Sequence, residues 1–167
     1  MRISSNIVAM LNTQTGHEFS AMLQYVAIAA HFEKEALPGL AAFFQAQSNE
    51  EHGHALRFVR YLGDIGAALD IPALPAPQCC FASAESAVLL SLEQEIQVGQ
   101  QINALVHQAK AEADFTTDNF LQYFVQEQLE EISTMEQLLS VVRRAGEDNL
   151  LLVEEVLARN PRKPEGA

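Results

Sequence analysis

Glu51 and His54 stand three residues apart in the stretch SNEEHGHALRF (48–58), and three further acids, Glu18, Glu95 and Glu131, sit in similarly apolar surroundings elsewhere in the chain. On a helix, a carboxylate and an imidazole at this spacing share one face and can reach a single centre. Carboxylate oxygens joined by one imidazole suit Fe²⁺, Mn²⁺ or Zn²⁺ better than Mg²⁺ or Ca²⁺. The chemistry this implies is binding of transition-metal ions by groups projecting from several helices, as in carboxylate-bridged metal pairs inside helical bundles.

Such groups need rigid elements to bring them together. Prolines and glycines punctuate the sequence in few places: Leu37-Pro38-Gly39, the Pro-rich run Ile71 to Pro77, Gly146, and a tail ending in Ala167. Between them lie long segments of Ala, Leu, Gln and Glu, all good helix formers. The pattern predicts helices over about 4–35, 39–66, 83–112, 116–144 and 148–159. Strand-like alternation occurs nowhere. Short connections after the first and third helices imply antiparallel neighbours, and the long Pro-rich link between the second and third can run the length of a bundle. The expected fold is all-α: an antiparallel four-helix bundle with one long crossover and a short fifth helix, in one domain over 1–167.

Each long helix carries an apolar stripe that an acid interrupts near its middle. The first reads Leu11, Glu18, Tyr25, Phe32; the second Leu40, Phe44, Gln47, Glu51, His54, Phe58, Tyr61, Ile65; the third Val88, Leu92, Glu95, Gly99, Ile102, Val106; the fourth Phe120, Phe124, Gln128, Glu131, Met135, Leu138, Val142. In an antiparallel bundle four middles lie at one level, so the interruptions meet. Four uncompensated buried carboxylates would cost several kcal/mol each. No Lys or Arg falls on these stripes, since Arg57 and Arg60 point elsewhere by the helical count. Two divalent cations would balance Glu18, Glu51, Glu95 and Glu131.

The bulk properties agree. Ten Lys and Arg against 22 Asp and Glu give a net charge of −12, which repels nucleic acid and anionic membranes and attracts cations. No apolar run approaches the roughly 20 residues that span a bilayer, and the first residues lack the apolar core of a signal peptide, so the expected setting is cytoplasmic. Cys79 and Cys80 are adjacent and read as free thiols in a reducing compartment.

The residues His17-Glu18 with Tyr25, Asn49-Glu50-Glu51-His52-Gly53-His54-Ala55, Glu95 with Ile102-Asn103 and Leu105, and the run Asn119 to Glu131 together resemble the bacterial non-haem ferritins, a family of the ferritin-like di-iron superfamily, over nearly the whole chain. The resemblance implies an iron store with ferroxidase activity, in which two Fe(II) per subunit are oxidised by dioxygen or hydrogen peroxide and stored as a ferric oxyhydroxide mineral. By resemblance, Glu18, Glu51 and His54 form one iron site, and Glu51 bridges to a second made by Glu95 and Glu131 with Gln128 close by. Tyr25 would be a hydrogen-bond partner and electron donor beside the pair. Glu50, Glu127 and Glu130, each one residue before a core position, would make a third iron site toward the mineral cavity; His17 and His52 lie off the stripes and read as surface groups. Bacterioferritins and rubrerythrins carry a second Glu-x-x-His where this chain reads Gln128-Leu129-Glu130-Glu131, and no Met occurs at Ala46 to Asn49 where bacterioferritin presents its haem ligand, so no haem is expected.

The fifth helix, with Asp148 as its expected N-cap, contains Leu150-Leu151-Leu152-Val153 and Val156-Leu157 and is too apolar to stand alone. Periodicity supports an oligomer, and the resemblance implies a shell of 24 subunits. Residues 160–167 read as a polar tail. Two rival readings of the acid layer are a structural Zn²⁺ or Mn²⁺ site and a di-iron oxidase acting on an organic substrate.

Overall fold

A computed structural model of the protein describes residues 3–160. Four long helices, α1 (Ser5–Lys34), α2 (Pro38–Asp64), α3 (Ala84–Ala111) and α4 (Phe115–Ala145), precede a 3-10 turn (Glu147–Asn149) and a short α5 (Leu150–Arg159), with no strand among the described residues. The ends of the four long helices lie within two residues of those the sequence predicts, because their signals are local. Ser4 accepts a hydrogen bond from the Ile7 amide, Pro38 opens α2, Ser83 and Ser86 form a reciprocal capping box, and Asp114 accepts from the Thr117 amide. Two expectations fail. Asp148 does not cap α5: Asn149 holds that position without a side-chain bond, and Asp148 lies within the preceding turn. The buried face of α3 is also rotated by about one residue from its predicted stripe. Ser91, Val98 and Leu105 are buried, whereas Leu92, Gly99 and Val106 are only half-buried. Size-based reading favoured Leu92 over Ser91, but Ser91 donates to the Ala87 carbonyl at 3.0 Å and needs no solvent.

The antiparallel pair α1 and α2 lies against the pair α3 and α4, with the crossover of residues 65–83 running along α1. Asn12 fastens it by donating to the Ala68 carbonyl and accepting from the Asp70 amide, and Gln24 exchanges two 2.8 Å bonds with the backbone of Gln78. Both cysteines, Cys79 and Cys80, are free and exposed on this strap. No helix among the described residues is long and apolar enough to cross a membrane.

The apolar interior is divided in two. One cluster gathers Ile28, Phe32, Leu40, Phe44, Val88, Met135 and Val142 near the α5 end; the other gathers Ile7, Leu11, Phe58, Leu62, Ile102, Leu121 and Phe124 at the opposite end. Between them lies a polar layer, and that layer holds the candidate site.

Candidate metal centre

All four acids that interrupt the stripes, and His54, are at most 3 % exposed. Among the described residues no lysine or arginine is buried. Arg57 stands outside, with its guanidinium 3.9 Å over the Tyr123 ring.

Glu18 from α1 and Glu51 and His54 from α2 converge: one ligand atom from each lies within 4.8 Å of the others. His54 Nδ1 faces Glu51 Oε2 at 3.5 Å and Glu18 Oε2 at 4.0 Å. Its Nε2 is buried with no hydrogen-bond partner, and the ring packs edge-on against Tyr123 and Phe124. A neutral imidazole that keeps its proton on Nε2 presents the Nδ1 lone pair to the carboxylates, the tautomer a metal ligand requires. This donor set, two carboxylates and one imidazole, fits a borderline divalent ion such as Fe²⁺.

Glu95 and Glu131 lie in the same layer but are held by neutral donors. The Tyr25 hydroxyl donates to Glu95 Oε1, and the Gln128 amide donates to Glu95 Oε2 at 2.5 Å and to the Glu95 carbonyl at 3.0 Å. Gln128 reaches α3 because residue 99 is glycine: a Cβ there would stand 3.1 Å from Gln128 Cγ. Glu131 Oε2 accepts from Gln47, and the same amide donates to Glu50 Oε2, each at 3.0 Å. Gln14 donates to Glu18 Oε1 at 2.8 Å. Gln47 lies on the second stripe but carries no role in the sequence reading, and Gln14 is not on a stripe, yet each lies one helical turn before a candidate ligand. Of the outer acids, Glu50 and Glu127 are half-buried and Glu130 is exposed. His52 is exposed and His17 half-buried, with burial lowering the His17 imidazole below its ordinary range.

The electrostatics follow from burial without cationic partners. Burial, then the nearby Glu51, raises the Glu18 carboxyl well above its ordinary value. Burial, then Glu95, does the same to Glu51. Glu95 is pushed up to about 7, chiefly by burial, against the lowering effect of the Tyr25 hydrogen bond. Burial and Glu95 raise the Tyr25 phenol well above its usual range. A layer that holds protons for want of a counter-charge exchanges them for metal when metal binds.

The chain is 40% identical over 151 residues to "Ferritin BfrB" of Mycobacterium tuberculosis, covering 90% of this chain and 83% of that protein. It is 36% identical over 157 residues to "Bacterial non-heme ferritin" of Staphylococcus aureus, covering 93% and 95%. The open pore ferritin of Archaeoglobus fulgidus superposes with a TM-score of 0.91 at 31% identity, covering 96% of this chain and 98% of that one. With the ferritin-like domain matching residues 8–145, the chain belongs to the ferritin family of iron-storage proteins.

Proposed function

We propose that the buried layer is a paired-iron ferroxidase site feeding a ferric oxyhydroxide store. The observation that carries this reading is a set of four buried carboxylates and one imidazole with no buried lysine or arginine among the described residues. Two Fe(II) supply the missing charge, one held by Glu18, Glu51 and His54, the other by Glu51, Glu95 and Glu131 with Gln128 beside it. Each Fe(II) gives up one electron, and dioxygen or hydrogen peroxide takes the pair. The redox chemistry belongs to the substrate metal. The chain supplies charge, spacing and exclusion of water, and its carboxyls release their protons as the ions arrive.

Tyr25 holds Glu95 through its hydroxyl, and its phenol is the group from which a further electron could be drawn. Glu50, Glu127 and Glu130 form an outward third station, and Gln47 joins it to the pair by bonding both Glu50 and Glu131. The exposed Leu151 and Leu152 of α5, 75% and 55% accessible, require cover from other subunits, in keeping with a homo-oligomeric shell of 24 copies. The reading includes no haem, a cytoplasmic setting and one domain over 1–167.

The deciding experiment steps anaerobic protein through increasing Fe(II) before mixing with air, following absorbance and oxygen uptake. A fast phase that saturates at about two Fe(II) per subunit, the number that neutralises four carboxylates, is the expected result. Oxidation no faster than that of free iron would leave a metal-binding bundle without turnover, and uptake that required an organic co-substrate would replace iron storage by oxidase chemistry.

A further inference from the structure

A second polar feature lies outside the acid layer. Beneath the proline strap, a surface pocket of about 440 Å³ separates α1 from α3, roofed by Pro72 and Pro75. The helices face each other across it with two polar ridges: Thr13, His17 and Ser20 on α1, and Gln94, Gln97 and Gln101 on α3. The Oε1 atom of Gln94 is buried without a hydrogen-bond partner, and Gln101, on the other side of Gln97, turns its side chain toward the His17 imidazole. A buried amide acceptor left without a donor is costly and calls for an occupant that supplies protons or positive charge.

His17 links this pocket to the acid layer. Its Nδ1 lies 3.4 Å from Gln14 Oε1, and Gln14 in turn donates to Glu18 Oε1 at 2.8 Å. Gln14, His17 and Glu18 occupy one patch of α1, so the pocket and the first iron site are neighbours through a single glutamine. No acid or base lines the pocket other than the imidazole. A ligand set without formal charge binds divalent ions weakly and leaves most of their water in place, which suits passage better than retention.

We propose that the pocket is an outer staging site for a hydrated divalent transition-metal ion on its way to Glu18. The His17 imidazole meets the ion, and its bound waters donate to Gln94 and Gln101. The inference rests on the paired-iron reading for the ion's destination, while the site itself rests on the pocket alone. The net charge of −12 raises the local concentration of cations at such a surface.

The test is anomalous diffraction from crystals of the whole protein soaked anaerobically in Co²⁺. The expected map shows one peak bounded by His17, Gln94 and Gln101, separate from density at Glu18, Glu51 and His54; in the double variant Gln94→Leu, Gln101→Leu the first peak is lost and the second kept. In solution, the same variant should oxidise sub-saturating Fe(II) about tenfold more slowly, the lower end of the range over which local concentration of a cation alters capture, with the same number of ions consumed in the fast phase. Co²⁺ at Glu18, Glu51 and His54 with only ordered water in the pocket would overturn the staging site and leave the paired site standing. Co²⁺ in the pocket but not at those three residues would overturn the paired site and, with it, the staging role. A variant that captures dilute Fe(II) as fast as the parent would overturn the inference even where a pocket peak is seen.

Discussion

The protein buries carboxylates at mid-bundle and also places them at the α5 end, and the two regions treat the same functional group in opposite ways. At the α5 end, Glu154 reaches across to the start of α2, where its two oxygens accept from the Gly39 and Leu40 amides at 2.5 and 2.8 Å. Glu147 does the same for α3, accepting from Ala84 and Glu85 at 3.0 and 3.1 Å. Both sit on the positive ends of helix dipoles and satisfy amides that have no partner within the helix. The approach of Glu154 is close enough that a Cβ on Gly39 would lie 2.8 Å from its oxygen. At mid-bundle Glu18, Glu95 and Glu131 accept from neutral amide and phenol donors, and burial drives Glu18, Glu51 and Glu95 toward their protonated forms. The fold therefore has the means to satisfy a carboxylate fully and uses it at the helix ends. In the middle the charge is left for something outside the chain.

The sharpest way to break that contrast is to neutralise one acid of the layer without changing its size. Glu51→Gln removes the carboxylate shared by both proposed iron positions, and the fast phase of Fe(II) oxidation should fall at least about 100-fold, the upper end of what loss of a supporting group alone costs. Thermal unfolding of the metal-free variant should occur at or above the wild-type temperature, because a repulsive neighbour of Glu18 and Glu95 is gone. A variant that unfolded early would make Glu51 a structural residue and remove the distinction between the regions.

The second test uses pH. Glu95 in the folded metal-free protein holds its proton up to about 7, against an ordinary value of 4.5. Its protonation thus favours the folded state fully below the lower value, and that contribution is lost as pH rises through the higher one. The loss is on the order of 3 kcal/mol for a shift of this size. Denaturant unfolding of the metal-free protein should show stability declining from about pH 5 to about pH 7.5, with a shallower decline in Glu95→Gln. Equal slopes in the two proteins would mean that Glu95 is not held in the protonated form by its surroundings.

Glu154→Ala probes the other region. It strips two acceptors from the start of α2 and should cost about 1–2 kcal/mol, the scale of a lost helix cap, read as a lower unfolding temperature. The number of Fe(II) consumed in the fast phase should stay the same. A change in that number would show that the two regions are coupled through α2.

Much of this arrangement was legible before any coordinates. The stripes of α1, α2 and α4 fixed which face each helix buries, and the acid that interrupts each one is buried where the count puts it. Helix ends were legible because caps are local: Ser4, Pro38, Ser83 and Asp114 act within a turn of themselves. The α5 start was misread for the same reason in reverse. Asp148 has the right chemistry for a cap, but the turn before α5 is set by Glu147, whose side chain is engaged 63 positions away at Ala84. Such long-range caps have no signature in sequence. The α3 register slipped because a buried serine bonded to its own helix looks polar to a pattern that counts only apolar residues. Gln47 was legible as core-facing from its place on the stripe but not as a donor to an acid on another helix, and Gln14 was silent because an amide one turn from an acid is usually a surface pair.

Gly99 joins local sequence to site geometry and sets the smallest effect. Gly99→Ala adds helix propensity, about 1 kcal/mol in favour of folding. The new Cβ would meet Gln128 Cγ at 3.1 Å, a tight contact with a flexible side chain, so Gln128 yields rather than the backbone. Its bond to the Glu95 carboxyl, 2.5 Å in the parent, is then lost or lengthened. A hydrogen bond of this kind contributes about 1–3 kcal/mol when its acceptor is charged and about 1 when the acceptor is protonated. In the metal-free protein Glu95 holds its proton near neutrality, so the two terms nearly cancel and the unfolding temperature should barely move. Once a cation draws off that proton the bond belongs to a charged acceptor, and its absence should show as weaker binding of the second Fe(II), by roughly fivefold for about 1 kcal/mol, in an anaerobic titration that resolves the two ions. A clear drop in unfolding temperature would place the value of Gly99 in packing between α3 and α4; an unchanged second binding step would detach Gln128 from the iron pair.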